Sequence, residues 1–393
     1  MIREVGEQEF ESCIRLSEYA FQYQLSDQEK EKTINRMRKQ LILADFEDAI
    51  MQAKLHIYDF TIVMNQQIWR MGGVASVATW PEYRRGGKVK NLLLHALERM
   101  RAQKQVISFL HPFQIDFYRR YGWELFASRK EITVPQHELI PIQTAVNVEG
   151  NIRRLNMPNA LKPIQEVYEK FSKQHNGMLN RTREWWEYGV LDKDTLAVGY
   201  YNAVGELNGY LLYKMSGRKM IVEEMVTIET AAKIGLWQFI CQHDSMLSEV
   251  TLTLTECDEL PFMLVNPRVN TKIEPYFMAR IVDMETFVAQ YQFEWDDQPL
   301  FIHVDDPFAK WNKGSIFIKQ GEATFYPAKM EKACVNRPQK GLHMDIGAIT
   351  TLLMGHQTAA TLYRMGRIEG EIEEVKRLDH MVSRYPTCFY DFF

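Results

Sequence analysis

The segment of this sequence best suited to binding an anion is Arg84-Arg85-Gly86-Gly87-Lys88-Val89-Lys90. A strand pattern ending at Thr79 precedes it, and an amphipathic helix pattern starts near Gly87. Glycines let a backbone approach a ligand closely, and the first N–H groups of a helix have no partners within the helix. The helix dipole also favours negative charge, so the segment predicts a diphosphate site with basic side chains as counter-charges.

Two other phosphate-binding motifs do not fit this segment. It contains no GK[ST] triplet of a Walker loop and no GxGxxG of a dinucleotide fingerprint. A solvated, basic helix start with no ligand is the remaining structural alternative.

The C-terminal tail, Cys388-Phe389-Tyr390-Asp391-Phe392-Phe393, is the second segment with chemical potential. Burying two of its phenylalanine rings would stabilise the fold by roughly 3 to 6 kcal/mol. We therefore expect the tail to be anchored and its terminal carboxylate to lie at a defined place.

The elements that must position these residues repeat along the chain. Apolar residues recur with helical spacing over residues 8 to 40, and Leu41 continues this pattern. Strands are predicted after it, at 55–63 and 73–79. A helix with Val89, Leu92, Leu93, Ala96, Leu97 and Met100 on one face follows the glycines. A strand at 106–110, a short helix over 114–121 with Gly122 as its C-cap, and a strand at 132–134 close this unit.

A similar order of elements begins again near residue 150, which predicts an internal structural repeat. We expect a helix around 164–171, strands at 195–198, 210–213 and 220–226, a helix over 231–241 and a strand at 250–254. The second strand-to-helix connection, residues 227–232, has no glycine or arginine pair, so it should not bind the diphosphate. A third segment from about residue 285 predicts strands at 301–304 and 315–318 and helices at 346–353 and 358–365, ended by Gly355 and Gly366.

The glycine segment resembles the acetyl-CoA-binding loop of GNAT-type N-acetyltransferases, Arg/Gln-x-x-Gly-x-Gly/Ala after the fourth strand. Arg84 and Gly87 match this pattern, and Val89 stands where a small residue is usual. In that superfamily, backbone groups of the fourth strand bind the pantetheine arm as an added strand would. The resemblance places this role on Val77, Ala78 and Thr79, with Phe113 and Gln114 flanking the cofactor.

The run Phe117-Tyr118-Arg119-Arg120-Tyr121-Gly122-Trp123 is similar to a second signature of the superfamily. There a tyrosine commonly points at the sulfur of CoA and protonates the departing thiolate. The resemblance assigns that role to Tyr118, with Tyr121 as its rival. A core tyrosine without a catalytic role is the structural alternative.

Over nearly the whole length, the chain resembles the enhanced intracellular survival (Eis) acetyltransferases. The landmarks are residues 78–85, Arg183-Glu184-Trp185-Trp186, Gly366-Arg367-Ile368-Glu369-Gly370 and the terminal phenylalanine. The resemblance implies mixed α/β sheets in three domains: a catalytic GNAT domain (1–148), a GNAT-like domain without the diphosphate loop (149–284) and a sterol-carrier-like domain (285–393). It also implies that the terminal carboxylate of Phe393 is the base that deprotonates the amine. From its bulk, we expect the neighbouring Phe392 to limit or reshape the amine pocket.

The function implied is acetyl-CoA-dependent acetylation of amines, including aminoglycosides, by an enzyme that assembles into hexamers. A protein lysine or a polyamine stays open as acceptor. An alternative hypothesis assigns the chain to a different class of protein, a carrier or regulator that binds an apolar ligand in its C-terminal segment.

Composition limits the alternatives. The net charge of −4 and the pI near 6.2 argue against a general nucleic-acid binder. The start of the chain lacks a signal-peptide core and no stretch has the roughly 18 apolar residues of a membrane span, so we expect a cytoplasmic protein. Five separated cysteines, at 13, 241, 257, 334 and 388, indicate neither a disulfide framework nor a zinc site, and we expect no metal.

Overall fold

Four α-helices and six strands are described for the first part of the chain in the computed structural model, which describes residues 1–143, 145–146, 148–157, 159–328 and 340–393. Cys334 therefore lies outside the described residues. The strands are β1 (Ile2–Glu4), β2 (Leu41–Glu47), β3 (Ile50–Met64), β4 (Gln67–Thr79), β5 (Ile107–Leu110) and β6 (Glu124–Pro135). Before β2 lie α1 (Phe10–Phe21) and α2 (Asp27–Met37), and between later strands lie α3 (Lys88–Ala102) and α4 (Ile115–Arg119).

The middle part repeats this order with different lengths. Its strands are β7 (Asn151–Arg154), β8 (Leu196–Tyr201), β9 (Leu207–Ser216), β10 (Lys219–Thr227), β11 (Glu249–Leu254) and β12 (Asn270–Ile281). Its helices are α5 (Leu161–Ser172), α6 (Arg183–Trp185), which continues as a π-helical turn over Trp186–Val190, α7 (Thr230–Cys241) and α8 (Leu260–Met263).

The last part has its own small sheet covered by helices. It comprises α9 (Met284–Gln290), β13 (Leu300–Asp305), β14 (Gly314–Lys319), β15 (Glu322–Pro327), β16 (Leu342–Asp345), α10 (Ile346–Leu353), α11 (Ala359–Arg364), β17 (Ile368–Glu369) and α12 (Ile372–Met381). The sheet order is β15-β14-β13-β16-β17, and its core is continuous with buried side chains of β5, β6 and β12.

A single twelve-stranded sheet runs through the first two parts in the order β1-β2-β3-β4-β5-β12-β6-β11-β10-β9-β8-β7. The strands β6 and β12 are exchanged: β12 from the middle part lies between β5 and β6, and β6 from the first part pairs with β11. Each half of the sheet is thus completed by a strand of the other. The division at 148 and 284 stays a prediction, since these two strands cross it.

Most predicted elements are confirmed. The predicted apolar face of α3 is right: Leu92, Leu93, Ala96, Leu97 and Met100 are buried. Leu41 was wrongly placed in the helical stretch, because it begins β2 and its alternating neighbours pair with β3. The strand at 132–134 does not close the first unit but is the end of β6, paired with β11.

The C-cap expected at Gly122 is confirmed. Its φ is +86°, and a Cβ there would collide with the guanidinium of Arg280, which donates a hydrogen bond to the Tyr121 carbonyl. Because L side chains avoid this backbone region, glycine is required here. Gly122 ends the short helix that carries Tyr118.

Candidate functional site

The gap between β4 and β5 is the central feature of the site. The two strands pair in parallel only over Met71–Val74 and Ile107–Leu110, whereas β4 continues to Thr79. Ser76, with φ +49°, lies in a bulge where the register between β3 and β4 shifts. A bulge bends its strand, so the last residues of β4 leave β5. On that side Val77, Ala78 and Thr79, the predicted pantetheine-binding residues, have no strand partner.

The glycine loop follows directly. After a 3₁₀ turn over Pro81–Tyr83, Gly87 adopts φ +76° and precedes α3 with no side-chain cap. Within the described chain, the N–H groups of Arg85, Gly86 and Gly87 donate no hydrogen bond to another residue. These donors and those of the first turn of α3 are free for an anion.

The basic side chains around this loop differ in their availability. Arg85 and Lys90 are exposed, and Arg84 is held by a hydrogen bond from its Nε to the Thr79 carbonyl at 3.3 Å. Lys88 places its ammonium 3.1 Å from the Asp45 carboxylate. The charge of Lys88 is therefore already balanced, and Arg84, Arg85 and Lys90 are the better candidates for counter-charges. Val89 is half-buried against the core under α3.

Tyr118 lies in α4, with its ring enclosed by Phe113, Phe117 and Trp123 at centroid distances of 5.5, 5.2 and 6.4 Å. Burial raises the pKa of the Tyr118 phenol well above its ordinary value. The phenol therefore keeps its proton throughout the physiological range, as a proton donor must.

The rival tyrosine faces elsewhere. The ring of Tyr121 packs on Phe308 of the last part at 4.9 Å, and its carbonyl accepts the hydrogen bond from Arg280. These contacts give Tyr121 a role in joining α4 to the last part of the chain.

The C-terminal tail is anchored by a buried ion pair. Arg181 Nε lies 2.8 Å from an Asp391 carboxylate oxygen, and both side chains are essentially inaccessible to solvent. The same oxygen accepts a hydrogen bond from Trp185 Nε1 at 2.7 Å. The Arg181 guanidinium also binds Glu224 and stacks between Tyr168 and Trp186. This cluster fixes the backbone two residues before the terminus, as the aromatic tail predicted.

The ring of Phe393 packs in an aromatic pocket. Phe393 contacts Tyr58, Phe60 and Phe277 at centroid distances of 5.7, 5.2 and 5.1 Å. A Cβ on Gly73 would come within 2.7 Å of the ring, so the missing side chain of Gly73 provides the space. In the described part of the chain, the terminal carboxylate forms neither a hydrogen bond nor an ion pair, so it is available to an incoming group.

The two predicted catalytic residues belong to different faces of the sheet. Tyr118 packs in the cluster that contains Leu110 and Met278, whereas Phe393 packs against the cluster that contains Phe109 and Phe277. Because successive side chains of a strand point to opposite faces, the sheet lies between the two residues. The opening between β4 and β5 is the place where the sheet is interrupted.

Two cavities adjoin this opening. The larger, about 610 Å³, lies beyond β5 and is lined by His111, Phe113, Gln114, Arg129, Tyr276 and Phe392 among others. It thus brings together three residues predicted for the site: Phe113, Gln114 and Phe392. The smaller, which we call the α1–α2 cavity, measures about 250 Å³ and lies between these two helices and the residues His56, Tyr58 and Ser76.

A buried basic pair beneath the α1–α2 cavity was missed from the sequence. Lys54 Nζ lies 2.9 Å from His56 Nε2 and donates to the Ser76 carbonyl at 3.2 Å, and His56 Nδ1 lies 2.7 Å from Gln40 Oε1. Burial lowers the pKa of Lys54 to about 8 and, with the Lys54 charge, lowers that of His56 well below its ordinary value. The available signal was the alternation of Gln52, Lys54, His56 and Tyr58 along one strand face.

Comparison with known proteins identifies the family. Two models described as an acetyltransferase (GNAT) domain match residues 1–126 and 177–281, and one described as a sterol carrier protein domain matches residues 284–390. The N-acetyltransferase Eis of Mycobacterium tuberculosis is 22% identical over 323 residues, covering 78% of this chain and 76% of that protein. The chain is an Eis-like N-acetyltransferase of the GNAT superfamily.

Other relatives agree with this assignment. An uncharacterized N-acetyltransferase of Streptomyces avermitilis is 22% identical over 78% of each chain. The crystal structure of a probable N-acyltransferase from Enterococcus faecalis superimposes with a TM-score of 0.91 at 24% identity, covering 100% of this chain and 99% of that one. Eis1 of Mycobacterium abscessus gives 0.81 at 18% identity, with both chains fully covered. These structures share the fold of the Eis-like chain.

The Eis-like chain has the predicted fold class, mixed α/β with tandem GNAT domains and a sterol-carrier domain. Enzymes of the GNAT superfamily use acetyl-CoA. Among the described helices, none is both long and apolar enough to cross a membrane.

We predict that Lys54→Met stabilises the protein at pH 7. The Lys54 pKa is about 8 when folded and 10.5 as a free side chain, so the unfolded state holds the proton more tightly. Below pH 8 the folded protein bears the full cost of burying the charged Lys54. Between pH 8 and 10.5 the folded protein loses this proton while the unfolded chain keeps it, so the free energy of unfolding of the wild type rises by about 3 kcal/mol. At pH 7 the free energy of unfolding of Lys54→Met should exceed that of the wild type by about this amount. At pH 9.5 the difference should be smaller.

Denaturation followed at both pH values measures the difference. The exposed Lys193→Met serves as the control and should show no such pH-dependent gain. An advantage of Lys54→Met that is equal at pH 7 and 9.5 would contradict the depressed pKa.

Proposed function

We propose that the chain transfers the acetyl group of acetyl-CoA directly to a primary amine at the opening between β4 and β5. The observation that carries the proposal is the sequence of unpaired backbone groups along the end of β4 and around Gly87. A pantetheine arm needs such a strand edge, and a diphosphate needs such a helix start.

Only the first half of the sheet suits the cofactor. In the second half, α7 begins after Glu229, whose carboxylate lies at the N-cap position of the helix. A negative charge there opposes binding of a diphosphate. We therefore place acetyl-CoA at β4 and α3, with Val77, Ala78 and Thr79 along the pantetheine and Arg84 to Lys90 around the diphosphate.

In the proposed reaction, the amine nitrogen attacks the thioester carbonyl, the C–S bond breaks and the sulfur leaves as a thiolate. Tyr118 donates its phenolic proton to that thiolate. The terminal carboxylate of Phe393 accepts the proton that the amine loses, directly or through water. An acetyl group threaded through the opening between β4 and β5 would face Tyr118 from one side and Phe393 from the other.

The acceptor is proposed to be a small-molecule amine. The aminoglycoside-type polycation implied by the resemblance stays a prediction, as do a protein lysine or a polyamine, the hexamer and the cytoplasmic location. The carrier reading also stays a prediction, and no contact described above favours it.

Titration with acetyl-CoA tests the proposal. Arg84→Gln should weaken binding by about tenfold or more, because a hydrogen bond to a charged group is lost. Lys104→Gln, which removes one charge at the far end of α3, is the control and should bind as wild type. No binding by wild type, or equal affinities for all three proteins by calorimetry, would contradict the assigned site.

We expect Tyr118→Phe to lower kcat by roughly 10² to 10⁴, because the thiolate loses its proton donor. Acetyl-CoA affinity should stay nearly unchanged, because the ring and its packing remain. Release of CoA thiol, followed with a chromogenic disulfide, measures the rate. Tyr121→Phe is the matched control and should retain wild-type turnover. Wild-type turnover of Tyr118→Phe would remove Tyr118 from the chemistry.

One glycine appended after Phe393 should reduce kcat strongly, because it moves the terminal carboxylate by one residue while the Arg181–Asp391 anchor stays in place. Thermal unfolding should show the fold intact. Full activity of the extended chain would exclude the Phe393 carboxylate as the base.

A further inference from the structure

The α1–α2 cavity adjoins both the bulge of β4 and a residue that packs on Phe393. Ser76, in its wall, is the bulge residue at which β4 leaves β5. Tyr58, also in its wall, contacts the ring of Phe393. An amine held in this cavity would therefore lie close to Phe393 and to the bulge beside which the thioester is proposed to bind.

The charge of the cavity wall is positive. Arg36 is its one fully charged lining side chain in the described structure, and no lining residue is acidic. The guanidinium of Arg36 donates to Thr33 Oγ1 at 3.1 Å and lies 5.7 Å from the ring centre of Tyr188, and no described carboxylate forms an ion pair with it. Four of its five N–H donors are thus free for a ligand.

The floor of the cavity adds no negative charge. Lys54 and His56 are fully buried there, bonded to each other, to Gln40 and to the Ser76 carbonyl, without a carboxylate partner. At the nearby surface Lys39 and Glu184 form an ion pair at 2.5 Å, so the carboxylate of Glu184 is already neutralised.

The described lining of the larger cavity likewise contains a basic side chain and no unpaired acidic one. Its one acidic lining residue, Glu274, pairs with Lys272 at 2.8 Å, and its Arg129 donates to Thr253 rather than to a carboxylate. A polycation would thus meet Arg36 and Arg129, and among the described lining residues of the two cavities no acidic side chain is unpaired. Next to the wall of the α1–α2 cavity, the Glu18 carboxylate accepts a hydrogen bond from the Leu25 N–H at 3.0 Å. The terminal carboxylate of Phe393 is the negative group beside the opening that remains to receive one ammonium.

We propose that the acceptor is a small amine that also carries a carboxylate, of the amino-acid type, with its anionic group on Arg36 and its amine directed to Phe393. The inference rests on the proposed function and names its substrate class. The positive guanidinium of Arg36 would bind the carboxylate of such a zwitterion, and the negative terminal carboxylate of Phe393 would receive its ammonium. A guanidinium binds a carboxylate through two parallel hydrogen bonds, which also fixes the orientation of the amine.

The size of the cavity agrees with this class. At about 250 Å³ it lies below the roughly 300 to 1,000 Å³ typical of pockets for drug-sized ligands. An amino acid or a short peptide end fits such a space, whereas a multi-ring polycation requires more.

The test compares matched acceptors by CoA release from the full-length protein. The panel contains α-amino acids and dipeptides, the same compounds as carboxamides, one linear polyamine and one aminoglycoside. We expect the highest kcat/KM for a compound with a free carboxylate and a loss of at least tenfold for its carboxamide.

Variants assign the effect to the cavity. Arg36→Gln should raise KM for the carboxylate substrate by about tenfold to a hundredfold with a smaller change in kcat, and should leave the carboxamide unaffected. Arg36→Lys should restore part of the affinity, because the charge remains. Arg38→Gln, on the same helix end but paired with Glu7 at the surface, is the control and should behave as wild type.

Three results would overturn the inference. They are a polyamine or aminoglycoside with a higher kcat/KM than every carboxylate compound, an unchanged carboxylate-to-carboxamide ratio in Arg36→Gln, or bound acetyl-CoA without CoA release from any carboxylate compound. The first two leave the proposed acetyl transfer intact. Failure to bind acetyl-CoA in the titration described above would instead overturn the proposed function.

Discussion

The buried ion pair between Arg181 and Asp391 is the interaction on which the position of the chain terminus depends. A guanidinium removed from water requires compensation, and Asp391, Glu224 and two aromatic rings supply it. Loss of one carboxylate would leave a buried charge under-compensated, so the tail and the middle part hold each other in place. A free chain end, usually the most mobile part of a protein, is thereby held at a fixed place beside the candidate site.

The rigid tail matters because the sheet separates the two proposed reacting groups. Tyr118 belongs to the layer under α3 and Phe393 to the opposite layer. The bulge at Ser76 opens the sheet between these layers. One local backbone irregularity therefore provides three things: unpaired hydrogen-bonding groups for the proposed cofactor, a passage through the sheet and a wall of the α1–α2 cavity.

Local sequence patterns predicted the helices and many of the strands because their signals are local. The apolar face of α3, its start near Gly87, the C-cap at Gly122 and the anchored tail each follow from a few neighbouring residues. Pairing between distant strands has no such signal, which is why the places of β6 and β12 in the sheet were not foreseen. Arg181 and Asp391 are likewise 210 residues apart. Lys54 and His56 could have been found, since alternation within a strand puts both on one face, had the strand been started at residue 50 rather than 55.

The crossing of β6 and β12 has a consequence during synthesis. After residue 135 leaves the ribosome, β6 has no neighbour until β11 emerges at residue 249 and β12 at residue 270. At typical translation speeds this interval is on the order of ten seconds. For that time β5 and β6 present bare edges, and unpaired edges invite association with other chains. The chain is thus most exposed to association while residues 136–270 are being synthesised, and truncation before residue 270 would leave β5 and β6, in the half made first, without their partner β12.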